Sequence, residues 1–96
     1  MILVGQYDSP FVRRTAIPLA LYGLPFEHRP WSVFGDADRI RPLNPLTRVP
    51  VLVLDDGEAL IETTAILDHI DRLAPPGSAL IAAEGAARRA CLRVMA

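Results

Sequence analysis

Two apolar runs, residues 51–54 and 59–62, stand on either side of Asp55-Asp56-Gly57-Glu58. An Asp-Gly pair between runs of strand length closes a tight antiparallel hairpin, because the glycine supplies the positive φ the turn needs. Any fold for this chain therefore contains these two strands as neighbours. The first of them begins on Pro50. A proline has no N–H to give to a sheet ladder, so at the head of a strand it is either tolerated or placed there for a reason.

The remaining chain divides by the same local rules. MILVGQY is an apolar run of strand size, followed by Ser9, a helix N-cap, and Pro10, which suits the first helical position. Val12, Thr15, Ala16, Leu19 and Ala20 then recur at helical spacing up to Gly23, a C-terminal cap residue, with Pro18 bending the helix. PFEHRPW alternates like a strand, and Pro30 inside it argues for a sheet edge. Residues 32–48 read as mostly irregular, with a short helical stretch over 36–41. Ile66, Leu67, Ile70 and Leu73 share one face of a helix that stops before Pro75 and Pro76. The order is βαβ, an irregular segment, then ββα. After a linker, Ala87, Ala90, Cys91, Val94 and Met95 resume helical spacing. A helix left with an apolar face normally packs on something, so the chain reads as the front part of a longer two-domain protein.

Composition narrows the function classes. At 96 residues and 51% hydrophobic, the chain can build one domain with a real core. No apolar run approaches the roughly 18–20 residues that span a bilayer, and the first residues lack a signal-peptide pattern, so a cytoplasmic protein with no membrane partner is expected. A net charge of −1 with scattered basic residues gives no footprint for nucleic acid. The ten basic residues are all arginine, which points to a GC-rich bacterial genome and excludes a lysine nucleophile. The single Cys91 excludes an internal disulfide, a CxxC pair and a cysteine-built zinc site. His28 and His69 have no ligand-spaced companions, so no metal is expected. Trp31 reads as an amphipathic edge residue, although it could line a pocket.

Taken in order, SPFVRR, LPFEHRP, NPLTRVPVLVLDDG and LIETTAILDHI resemble the N-terminal domain of the glutathione S-transferases over residues 1 to about 80. The resemblance implies an α/β fold, a thioredoxin-like βαβ-ββα unit with a mixed four-stranded sheet, followed by the start of an all-helical second domain. Residues 1–76 would be the glutathione-binding domain, 77–81 a linker and 82–96 the first helix of the second domain. It implies that Pro50 is cis and that Val49 turns its backbone outward to pair with the cysteinyl part of glutathione; local sequence alone also allows a trans proline that starts a strand.

It also implies that Thr63, where the family usually has serine, helps to hold the γ-glutamyl carboxylate while Glu62 accepts from the ligand's ammonium group. A hydroxyl and free N–H groups at a helix N-terminus do make an anion site, although Thr63 is equally readable as an ordinary N-cap. Arg48 would meet the glycyl carboxylate with its planar guanidinium, or stay a solvated loop residue. Thr47 stands where glycine is common. Ser9 would donate a hydrogen bond to the glutathione thiolate, unless it is only the cap of the first helix, and Tyr7 is the alternative hydroxyl.

The function implied is a transferase with glutathione as co-substrate and no metal, adding its thiol to a small-molecule electrophile and acting as a homodimer. The piece by itself would be weakly active or inactive. The alternative is the same fold used as a non-catalytic interaction or regulatory module. A thiol-disulfide exchanger fails, because SPFV offers no cysteine at the first helix turn.

Overall fold

The computed structural model describes residues 1–96. The chain runs β1 (Ile2–Val4), α1 (Pro10–Leu21), β2 (Glu27–Arg29), α2 (Ala37–Ile40), β3 (Val51–Val53), β4 (Ala59–Leu60), α3 (Thr63–Arg72) and α4 (Gly85–Met95). The four strands form one sheet in the order β2-β1-β3-β4. β1 pairs parallel with β2 and antiparallel with β3, and β3 pairs antiparallel with β4 across the Asp56-Gly57 turn. The proline-flanked β2 is an edge, since it leaves few N–H groups for a further neighbour.

Register decides which side chains make the core. Leu3 lies opposite Leu52 and Val4 opposite Val51. Because side chains alternate along a strand, these pairs point to opposite faces of the sheet. Leu3 and Leu52 pack with Val12 and Leu19 of α1 and with Ile66 and Ile70 of α3. Val4 and Val51 meet Ile40 of α2 on the other side. The structure is thus a thin sheet between two helices on one face and a short one on the other.

α1 begins as its sequence requires: Ser9 is the N-cap, its Oγ accepts from the Val12 N–H at 3.4 Å, and Pro10 follows. The helix continues through Pro18 to Leu21, and Gly23 leaves it at φ 67°. β4 is shorter than its apolar run. Residues 61 and 62 have left the ladder, because Glu62 adopts φ 71°, ψ 119° to open α3. The last helix starts at Gly85, since Glu84 is still extended at φ −161°.

The segment before α4 is strapped to the domain. The Tyr22 hydroxyl donates to Asp71 Oδ1 at 2.6 Å, and that same oxygen accepts from the Leu80 N–H at 2.9 Å. Asp71 Oδ2 accepts from the Ile81 N–H at 3.3 Å. Burial, and then the bond to Asp71, raise the Tyr22 hydroxyl above the ordinary tyrosine value, so it remains a neutral donor through the neutral pH range. α4 adds two ties of its own. The Arg14 guanidinium donates to the Met95 carbonyl at 2.7 Å, a cation at a helix C-terminus, and Arg88 lies 3.6 Å from the Asp68 carboxylate.

Candidate functional site

The loop before β3 and the turn before α3 meet at one cavity of about 160 Å³, lined by Phe11, Asn44, Arg48, Val49, Pro50, Glu62 and Thr63. All five residues expected from the sequence to hold a ligand, Arg48, Val49, Pro50, Glu62 and Thr63, lie on its wall. The Val49–Pro50 peptide bond is cis. Val49 makes no hydrogen bond through its N–H or its C=O. Unpaired main-chain groups next to a strand are a ready template for an extended ligand.

The opposite wall is a helix N-terminus with no cap. The first hydrogen bond of α3 runs from Ile66 N–H to Glu62 C=O, so the N–H groups of Thr63, Thr64 and Ala65 have no partner within the chain. No side chain caps them. Free N–H groups and the helix dipole favour an anion there. Neither the Glu62 carboxylate nor the Arg48 guanidinium forms an ion pair. The cavity therefore offers a free cation, a free main-chain edge, a free carboxylate and an anion-binding helix end.

Two residues on or beside this wall are held in conformations that cost about 1–3 kcal/mol each: Glu62 at φ 71° and Thr47 at φ 54°. Thr47 is β-branched, and a left-handed conformation costs such a residue about 1–2 kcal/mol. Part of that cost is offset by the about 0.5–1 kcal/mol by which glycine's freedom disfavours the ordered state. Thr47→Gly is accordingly expected to raise stability by up to about 1 kcal/mol. Urea unfolding checks it, and a fall in stability would show that the threonine side chain contributes more than its backbone loses.

Ser9 is not in this cavity. It borders a neighbouring one of about 220 Å³ with Gln6, Asp8, Trp31, Ser32, Val33 and Phe34, and Val49 forms the wall common to both. The Ser9 Oγ accepts from Val12, yet its proton has no acceptor in the chain. It is thus a free donor on a cavity that Val49 also lines. Tyr7 borders neither cavity. Its ring stacks on His28 at 4.0 Å between centroids, and His28 donates from Nε2 to the Gly5 carbonyl at 2.6 Å. Of the two hydroxyls, Ser9 is the one that shares a wall with Val49. Trp31 stands on the second cavity with Arg29 and Arg39 near its ring, 5.5 and 5.6 Å from the centroid.

Sequence reasoning passed over three residues. Gly5 is buried at φ 135°, and a Cβ there would collide with Val12 and come within 3.0 Å of the Val49 Cβ. A lone glycine in an apolar strand pattern is a signal of close backbone approach. Asn44, 2% exposed, joins the cavity wall from the irregular segment, where Asn-Pro marks a turn. Phe11, half exposed on α1, also lines the cavity.

A parallel β1–β2 pair, an antiparallel β3–β4 pair and a docking edge at the head of β3 together define a thioredoxin-like domain. Residues 3–78 match the family model for the glutathione S-transferase N-terminal domain, and the chain belongs to that family. It is 38% identical over 71 residues to the uncharacterized GST-like protein YibF of Escherichia coli, covering 74% of this chain and 35% of that protein. To maleylacetoacetate isomerase of Pseudomonas aeruginosa it is 36% identical over 80 residues, covering 78% of this chain and 38% of the isomerase.

Among solved structures, a glutathione transferase family member from Pseudomonas fluorescens with bound glutathione superposes with a TM-score of 0.83 at 29% identity, over 97% of this chain and 47% of that one. A glutathione S-transferase from Methylobacillus flagellatus with glutathione bound gives 0.87 at 26% identity, over 96% and 45%. The chain thus spans little more than a third of these curated relatives and less than half of these solved chains.

Proposed function

We propose that this chain binds reduced glutathione in the cavity between Arg48 and Thr63 and that Ser9 favours the thiolate of the bound peptide, which then attacks an electrophile. The observation that carries this reading is the unpaired Val49 main chain set between two charged groups, Arg48 and Glu62, that also lack ion pairs. Glutathione is extended, has a carboxylate at one end, and carries an ammonium and a second carboxylate at the other. The glycyl carboxylate goes to Arg48. The cysteinyl main chain pairs with Val49. The γ-glutamyl carboxylate takes the N-terminus of α3 with the Thr63 hydroxyl, and the ammonium group takes Glu62. Solved structures of similar fold that hold glutathione support glutathione as the ligand.

Pairing at Val49 brings the cysteinyl side chain to the wall shared with the second cavity, where the Ser9 proton is free. A thiol of ordinary pKa about 8.5 is a few per cent thiolate at neutral pH. A hydrogen bond donated to the sulfur stabilises the anion. The S–H proton leaves to solvent, and the sulfur lone pair forms the new bond to the electrophile's carbon as a π bond at that carbon opens onto the adjacent atom or its bond to a leaving group breaks, the displaced electron pair departing with that group. Ser9 stays a donor throughout and forms no covalent bond.

Backbone NMR shifts during titration with reduced glutathione test the reading, with Ser9→Ala alongside. Saturable shifts at Val49, Glu62 and Thr63 are expected in both proteins. Ser9→Ala is expected to keep its affinity within about twofold, lose about 1 kcal/mol of stability as a missing cap, and bind glutathione with a higher thiol pKa, read from thiolate absorbance against pH. A folded chain without saturable shifts at those residues would overturn the proposal in favour of an interaction module.

A further inference from the structure

The segment that delivers Val49 to the cavity is held by one side chain. Asn44 sits four residues after the end of α2 and is 2% exposed. Its own N–H donates to the Ile40 carbonyl at 2.9 Å, which fastens it to α2. Its Oδ1 accepts from the Leu46 N–H at 2.9 Å, its main-chain carbonyl accepts from the Thr47 N–H at 2.8 Å, and its Nδ2 donates to the Arg48 carbonyl at 3.2 Å. Pro45 has no N–H to satisfy. Every hydrogen bond made by the main chain of residues 46–48 within the turn therefore ends on Asn44, and Val49, the next residue, is left with none.

The identity of the side chain matters. An acceptor and a donor are needed on the same short, branched head, one for an N–H at position 46 and one for a C=O at position 48. Aspartate offers no donor, glutamine places its amide one carbon further out, and serine reaches only the nearer group. The burial of Asn44 adds weight, because its own amide group is cut off from water and must find its partners within the chain. Asn44 also lines the cavity itself.

We propose that Asn44 is a positioning residue for ligand binding: it holds residues 46–48 in one conformation so that the free main-chain edge of Val49 stays aimed at the cysteinyl main chain of glutathione. The proposal rests on glutathione being the ligand, and it assigns no contact between Asn44 and the reacting sulfur. It acts by order already present before the ligand arrives, which lowers the entropy of docking.

The test compares Asn44→Ser with Leu24→Ala, a change at the far end of α1 that loosens the core without touching this turn. Backbone order parameters and glutathione affinity are measured for both and for the natural sequence. For Asn44→Ser the Val49 order parameter is expected to fall and the dissociation constant to rise about tenfold, while Leu24→Ala changes neither despite a comparable loss of stability. Affinity within about twofold for Asn44→Ser, or an equal loss in Leu24→Ala, overturns the proposal. Should the natural chain fail to bind glutathione, the functional reading falls, and an unmoved Val49 order parameter takes the positioning role down with it. Hydrogen exchange on the natural chain needs no variant: Leu46 and Thr47 amides are expected to be protected and the Val49 amide unprotected, and the reverse pattern overturns the proposal.

Discussion

Gly5→Ala is expected to destabilise the chain by about 3–5 kcal/mol, the sum of a strained positive φ and an overpacked contact. At φ 135° an L side chain is strained whatever space it has, and here the added methyl meets Val12 on α1 and Val49 on the cavity wall. Neither neighbour can give way cheaply. Val12 is fully buried in the cluster that joins α1 to the sheet, and Val49 precedes the strand at the sheet's centre. Small domains of this size have total stabilities of about 5–15 kcal/mol, so the substitution removes a large fraction. Urea unfolding reads the loss, and a cost below about 1 kcal/mol would mean that β1 and Val49 are free to separate. At denaturant-free low temperature, any folded fraction is also expected to show displaced Val49 resonances, because the methyl wedges the docking edge away from α1.

The second large effect falls on binding and leaves stability nearly unchanged. Glu62→Gln combined with Thr63→Val is expected to weaken glutathione about 100-fold, or about 2.8 kcal/mol. Each change removes one group from the ligand's zwitterionic end. Glutamine no longer answers an ammonium charge, and valine keeps the shape of threonine without its hydroxyl. Adjacent residues couple, so the double change is compared with each single one. Stability is expected to move by less than about 0.5 kcal/mol, because neither side chain bonds within the chain or caps α3. Calorimetric titration and urea unfolding on the same samples separate the two. A double variant that binds as tightly as the natural chain would place the ligand elsewhere, and one that unfolds would make Thr63 a structural residue.

Much of the fold was legible because its signals are local. Asp56-Gly57 between apolar runs dictates a hairpin whatever surrounds it, and Pro30 forbids a central strand whatever lies beside it. Ser9-Pro10 starts α1 and Gly23 ends it by rules that operate within one turn of helix. The end of β4 was not legible. Residues 59–62 read as one apolar run, while the shift of Glu62 to positive φ is imposed by the need to begin α3 against Leu3 and Leu52 rather than by its own preference. The cavity was legible as a set of residues through family resemblance, but not as an arrangement. That Gly5 must be bare because Val49 passes over it depends on two strands being brought side by side from 44 positions apart. That Asn44 gathers the turn before β3 depends on its burial, and no spacing rule registers burial at a single polar position. The same limit applies to Ser9: its neighbourhood to Val49 appears only once β3 lies beside β1, and the separation of Tyr7 onto His28 only once β2 lies on the other side.

The strap at Asp71 and Tyr22, with the ties through Arg14 and Arg88, fastens the chain beyond residue 77 to the sides of α1 and α3 alone. Those two helices also carry Phe11 and Thr63 at their leading ends, and Ser9 caps the first of them. They act as a pair of shared beams, loaded along one flank by α4 and bearing half of the ligand cavity at the tip. The ties of α4 therefore reach the ligand cavity through the helices that bear Phe11 and Thr63, whereas Asn44, Arg48 and Val49 reach it through the loop before β3.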